Sequence, residues 1–200
     1  MYKSFSEFLF PKQVIVSDSE NFASYREKLI ELCYRHKELD PQGVKYSNYG
    51  GWQSRSDYLH DNEEFEFLFE DLSANLEHCM HKDFSINPGE NLSILNAWIN
   101  ISGQNHFNLS HTHPLSSFSG VYYVKCPQDC GNIVFEQDDN DCLDLSHRQD
   151  RIKDLAKMYP TYYFTPVEGR MLLFPSNLRH YVEPNRSSCD RISISFNLAF

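Results

Sequence analysis

Arg191-Ile192-Ser193-Ile194-Ser195-Phe196-Asn197, close to the end of the chain, decides the fold. Ile192, Ile194 and Phe196 alternate with Arg191, Ser193 and Ser195, which is the period of a half-buried β-strand and not of a helix. Working outward, Leu92 to Ser102, Phe118 to Lys125, Asn132 to Glu136 and Gly169 to Phe174 are further short extended runs bounded by turn residues. Together with Arg191 to Phe200 they predict a mainly β architecture with some α, a jelly roll (double-stranded β-helix) whose open mouth takes a metal or small ligand. Ahead of them, Asp18 to Lys37 and Asn62 to His81 carry apolar residues at helical spacing, with Phe65, Leu68, Phe69, Leu72 and Leu76 as one core-facing stripe. One domain over 1–200 is expected, with 1–85 as mainly helical support and 86–200 as the jelly-roll core.

Composition narrows the function. Acidic residues outnumber basic ones 28 to 18 and the net charge is -10, which disfavours a nucleic-acid partner, because phosphate neutralisation needs clustered Lys and Arg. Met1 to Val16 interrupts its aromatics with Lys3, Glu7, Pro11 and Lys12, so neither a signal peptide nor a membrane span is expected. The six cysteines (Cys33, Cys79, Cys126, Cys130, Cys142 and Cys189) include no Cys-x-x-Cys pair and are read as reduced thiols of a cytoplasmic protein.

His111-Thr112-His113 is the chemical centre. On an extended segment, residues i and i+2 share a face roughly 7 Å apart, close enough for two imidazoles to meet one ion. His180 is the best third ligand, delivered by the apolar run Gly169-Arg170-Met171-Leu172-Leu173-Phe174-Pro175. Arg191 follows 11 residues later beyond a turn at Pro184-Asn185, so the two strands are expected to pair as neighbours. An arginine facing a sheet interior needs an anion. Its planar fork suits a carboxylate, and Ser193 or a tyrosine hydroxyl adds a donor; the competing reading pairs it with Asp190 or Glu183.

His111-Thr112-His113-Pro114, Ser119-Gly120-Val121-Tyr122-Tyr123-Val124, the 169–175 run, His180 and Arg191 to Asn197 together resemble the Fe(II)/2-oxoglutarate-dependent dioxygenase superfamily. The match is nearest to a small prolyl-hydroxylase-like subgroup of bacterial and phage oxygenases. Ser47-Asn48, Gly51-Trp52-Gln53-Ser54 and Trp98-Ile99-Asn100 extend the similarity over about residues 45 to 200. The resemblance implies Fe(II), 2-oxoglutarate and O2 as cofactors, with His111, His113 and His180 as metal ligands and catalytic centre. It implies that Tyr123 and Arg191, helped by Ser193, bind the remote carboxylate of 2-oxoglutarate. It also implies hydroxylation of a small-molecule or peptide substrate, with succinate as co-product.

One position departs from the superfamily: His113 stands where an aspartate or glutamate is usual, leaving the metal site one charge more positive. Glu136 or Asp138 approaching the metal is the competing arrangement. A three-histidine, cupin-like dioxygenase without 2-oxoglutarate and a catalytically silent metal-binding module are the competing functions. Gln137 to Pro160, rich in aspartate, is read as a solvated loop or a cover over the pocket, and its spacing does not fit a calcium loop. Trp52 and Trp98 are candidates for shaping the substrate side.

Overall fold

Alternation in the carboxy-terminal half produces two antiparallel sheets, and the helical stripes of the amino-terminal half cover one of them. The computed structural model describes residues 12–83, 93–137 and 161–200. Its order is β1 (Ile15–Asp18), α1 (Phe22–Leu39), β2 (Asn48–Tyr49), β3 (Trp52–Gln53), two 3-10 turns (Leu59–Asp61, Glu63–Phe65) and α2 (Glu66–Asp83). There follow β4 (Ser93–Ser102), β5 (Phe107–His111), β6 (Phe118–Lys125), β7 (Ile133–Glu136), β8 (Thr161–Phe164), β9 (Arg170–Pro175), β10 (His180–Val182) and β11 (Arg191–Ala199). The major sheet is ordered β1-β9-β6-β11-β4-β3 and the minor sheet β2-β5-β10-β7-β8.

β11 shows how the chain divides its faces. Ile192, Ile194, Phe196 and Leu198 enter a core built with Phe22, Leu29 and Leu32 of α1 and Leu68, Leu72 and Leu76 of α2. Arg191, Ser193, Ser195 and Asn197, on the opposite face, line a cavity between the sheets. The jelly-roll interior is therefore the more polar side of this strand. Close approach across β11 and β6 requires glycine at position 120, where a Cβ would meet the Phe196 ring at 2.2 Å. A smaller core, formed by Val121, Leu172 and Phe174 of the major sheet with Ile133 and Phe135 of the minor sheet, joins the two layers.

All five residues of the predicted stripe, Phe65 to Leu76, are buried. The first helix starts later than the sequence predicts, at Phe22 in place of Asp18. Residues 15–18 instead form an edge strand on β9, in register from Ile15 opposite Leu173 to Asp18 opposite Arg170. The Asp18 carboxylate accepts from Arg170 Nε and Nη2 at 2.7 and 2.9 Å. Long-range pairing thus overrides local helical spacing there.

Two expectations about the carboxy-terminal strands are corrected. β9, the apolar run expected to deliver His180, belongs to the major sheet, whereas His180 opens β10 in the minor sheet. Nor are His180 and Arg191 on paired strands: β10 pairs with β5 and β7, and β11 with β4 and β6. Pro184-Asn185 is no hairpin turn but a corner between sheets. Asn185, fully buried, holds that corner by donating from Nδ2 to the carbonyls of Ser102 (2.9 Å) and Cys189 (2.8 Å). Residues 138–160, the bulk of the acidic insertion, lie outside the described residues; the segment joins β7 to β8, which pair antiparallel.

Candidate metal and cosubstrate site

His111 and His180 face each other as register partners across β5 and β10. His111 is the last residue of its strand, and His113 lies two residues beyond it, where its N–H donates to the Ser176 carbonyl at 2.9 Å. The extended-strand expectation thus holds for only half of the pair, yet the convergence it implied is realised. One nitrogen of each of the three rings lies within 4.8 Å of the others, with His113 Nε2 and His180 Nε2 3.4 Å apart. Among the described residues no carboxylate joins this group. Glu136 instead accepts from the Ser110 hydroxyl, and Asp138 lies outside the described residues.

Backbone carbonyls set the ring tautomers. A carbonyl only accepts, so His111 Nδ1–H donates to Leu109 O (2.7 Å) and His180 Nδ1–H donates to Leu178 O (2.8 Å). That leaves Nε2 of both rings as an unprotonated lone pair, the arrangement that orients a metal-ligating histidine. Burial pushes the His180 pKa down to about 3 and the His113 pKa down to about 4, and His111 is also lowered, chiefly by burial. The donor set is three neutral imidazoles, which fits iron, copper, nickel or zinc by chemistry alone.

These shifts carry a pH prediction. The native values lie below the ordinary histidine value of 6.5, so between the two the unfolded chain binds more protons, and stability falls as pH falls. The metal-free protein is expected to lose melting temperature from pH 6.5 down towards 4.5, above the range where its carboxylates titrate. His113→Gln is expected to flatten that slope, and an unchanged slope in thermal melts refutes the assignment.

Arg191 is 4% exposed and lines the same cavity, of about 610 Å³. Its Nη1 donates to the carbonyls of Cys130 (2.6 Å) and Gly131 (3.5 Å), and among the described residues no carboxylate lies within ion-pairing distance. The competing partners are accounted for otherwise: Asp190 accepts from the Tyr34 hydroxyl, and Glu183 from the Asn132 amide. An uncompensated buried cation costs several kcal/mol, roughly, a cost that an anionic ligand group would offset. Ser193 and Tyr123, both buried, are cross-strand partners on β11 and β6 and line the cavity with Arg191. Burial pushes the Tyr123 hydroxyl pKa well up, so it stays protonated and able to donate.

The chain matches the family of 2OG-Fe(II) oxygenases over residues 96–197. That span reaches from Asn96 on β4 to Asn197 on β11 and contains all six predicted site residues. The chain belongs to this family. Its cofactors are accordingly Fe(II), 2-oxoglutarate and O2. The oxygenase has the fold of a Pseudomonas putida prolyl-4-hydroxylase: TM-score 0.64 at 13% identity, covering 94% of this chain and 92% of that one. It also resembles HygX from Streptomyces hygroscopicus, solved with nickel, 2-oxoglutarate and hygromycin B (TM-score 0.61, 11% identity, 94% and 83% covered). A third likeness is the viral collagen prolyl hydroxylase of Paramecium Bursaria Chlorella virus-1 (TM-score 0.59, 13% identity, 94% and 96% covered). No curated protein matches the chain.

Beyond the six site residues, the cavity wall contains groups that the sequence reading did not single out as a set: Gln53, Asn96, Asn100, Ser195 and Asn197. The signal was there in β4, where Asn96, Trp98 and Asn100 alternate with Ala97, Ile99 and Ile101, as in any strand with one polar face. Of the two tryptophans, Trp98 lines the cavity, its ring 5.7 Å from His113. Trp52 packs in the helix-side core and donates its indole N–H to the Asp40 carbonyl at 2.8 Å. Its neighbour Gln53 faces the cavity instead.

Proposed function

We propose that His111, His113 and His180 hold Fe(II), that Arg191, Tyr123 and Ser193 hold the remote carboxylate of 2-oxoglutarate, and that the enzyme hydroxylates a small-molecule or peptide substrate. The observation that carries this reading is a buried arginine with no carboxylate partner among the described residues, in the same cavity as three neutral imidazoles. When bound, the metal and keto acid supply the oxidising chemistry, with 2-oxoglutarate decarboxylated to succinate. The chain's own residues bind, orient and exclude water. Arg191 answers the carboxylate charge with a planar fork, and Tyr123 and Ser193 offer hydroxyl donors beside it. Val121, Ile133 and Phe174 form apolar wall in the same cavity, which strengthens these charged contacts by keeping water out.

Three neutral ligands leave the charge of Fe(II) uncompensated by protein, so the negative charge that 2-oxoglutarate keeps beyond the carboxylate held by Arg191 would offset part of it. A three-histidine dioxygenase that works without 2-oxoglutarate has no use for the unpaired guanidinium. We read residues 1–200 as one oxygenase domain and place it in the cytoplasm; among the described residues the cysteines form no disulfide, and no helix is long and apolar enough to cross a membrane. The test is to add Fe(II) and 2-oxoglutarate anaerobically, look for the weak visible charge-transfer band of a chelated keto acid, then admit oxygen and measure succinate. Both signals are expected, and failure to bind 2-oxoglutarate sinks the residue assignment.

A further inference from the structure

We propose that Gln53, with Asn100 and Ser195 beside it, is a recognition site for a neutral amide group of the substrate. The inference rests on the assignment of Arg191 to 2-oxoglutarate. Gln53 is 4% exposed, lines the cavity, and its side chain has no hydrogen-bond partner among the described residues. Its polar atoms open onto the cavity, so a ligand group with both a donor and an acceptor can take up the unused carboxamide donors and acceptor. Its place in the sheet is set by main-chain pairing, with Gln53 opposite Asn100 on β4 and Asn100 opposite Ser193 on β11. Gln53 therefore stands two strands, about 10 Å, from the serine of the cosubstrate anchor, far enough to contact a second molecule.

The surrounding groups are arranged with their partners half used. Asn100 Nδ2 donates to Ser195 Oγ at 3.1 Å, which leaves the Asn100 carbonyl oxygen to accept and the serine hydroxyl to donate. Further along, Ser119 donates to Asn197 Oδ1 (2.7 Å) and Asn197 Nδ2 donates to Asn96 Oδ1 (2.9 Å), leaving the Asn96 amide hydrogens free at the end of the chain of bonds. Among the described residues lining the cavity, Arg191 is the one lysine, arginine, aspartate or glutamate. 2-Oxoglutarate takes that charge. A cationic substrate would find no carboxylate among the described residues of this wall and would be desolvated without compensation. A carboxamide pairs with an amide through complementary N–H and C=O groups, which matches the wall's inventory.

The experiment measures succinate release by the Fe(II)- and 2-oxoglutarate-loaded enzyme over its substrate-free baseline, with N-acetyl amino-acid N-methylamides bearing uncharged side chains. Matched methyl esters keep the carbonyl and lose the N–H. Simple primary carboxamides form a parallel arm, separating a peptide-bond amide from an amide side group; the free amino acids supply the charged control. At least one amide is expected to stimulate saturably, with its ester at least about tenfold weaker in kcat/KM, since sites that hydrogen-bond a substrate discriminate strongly against analogues lacking the group. Gln53→Leu, and Asn100→Leu as a second variant should the first not fold, are expected to collapse the amide-to-ester ratio towards one. Stimulation by no amide, stimulation by the charged amino acids instead, or a ratio unchanged in folded variants overturns the inference. Loss of the charge-transfer band in the wild type is a separate result, and it overturns the assignment of Arg191 on which the inference stands.

Discussion

Arg191→Ala is expected to raise the 2-oxoglutarate concentration needed for half-saturation by roughly one and a half to three and a half orders of magnitude, from the roughly 2–5 kcal/mol lost when one partner of a buried charge pair is removed. Fe(II) affinity in the absence of 2-oxoglutarate is expected to change little, because Arg191 is on β11 of the major sheet and the imidazoles His111 and His180 are on the minor one. The stability of the metal-free protein supplies a second, opposite-signed check. Among the described residues the guanidinium has no carboxylate partner, so its removal relieves a desolvation cost, and the variant's melting temperature is expected to hold or rise. A residue kept for structural reasons would show the reverse, with stability lost and 2-oxoglutarate affinity retained. Arg191→Lys is expected to fall between, since an ammonium keeps the charge and loses the two-pronged geometry. Titration of the charge-transfer band measures the affinity, and equal 2-oxoglutarate affinity in wild type and Arg191→Ala contradicts the assignment.

His180→Ala is expected to abolish both ligands together. Removal of a ligand should weaken Fe(II) by more than the roughly 10–100-fold that loss of a merely supporting partner costs. The keto acid band and succinate should disappear with the metal. His180 is the most buried of the three histidines and the one whose Nδ1–H is fixed to a carbonyl within the buried layer, so no neighbouring described donor can replace it. Iron binding measured without cosubstrate separates this variant from Arg191→Ala: iron lost in the first and kept in the second supports the two roles, and iron kept in both refutes the metal site.

The pattern of success along the chain has physical causes. β11 was legible because a strand with two different environments writes its period into the sequence, and Ile192, Ile194 and Phe196 all reach the helix-side core. The stripe on α2 was legible for the same reason at helical period. Asp18 was misassigned because four residues of edge strand are held by β9 and by Arg170, more than 150 positions away, and no local spacing reports that contact. His180 meets His111 and His113, but from β10 and not from the apolar run expected to deliver it. Its ring is placed by pairing with β5 and by the corner at Asn185, neither of which is visible from the apolar run preceding it.

Alone, the sequence determined the jelly roll and its helical cover, because periodicity is a local property, and it offered His111, His113, His180, Arg191, Tyr123 and Ser193 as site candidates through residue chemistry and family resemblance. Tertiary structure decided which sheet each strand joins, that Arg191 has no carboxylate partner among the described residues, and that Gln53 turns into the cavity while Trp52 turns away. Those outcomes depend on long-range strand register, and in a sheet a shift of one residue moves a side chain to the opposite face.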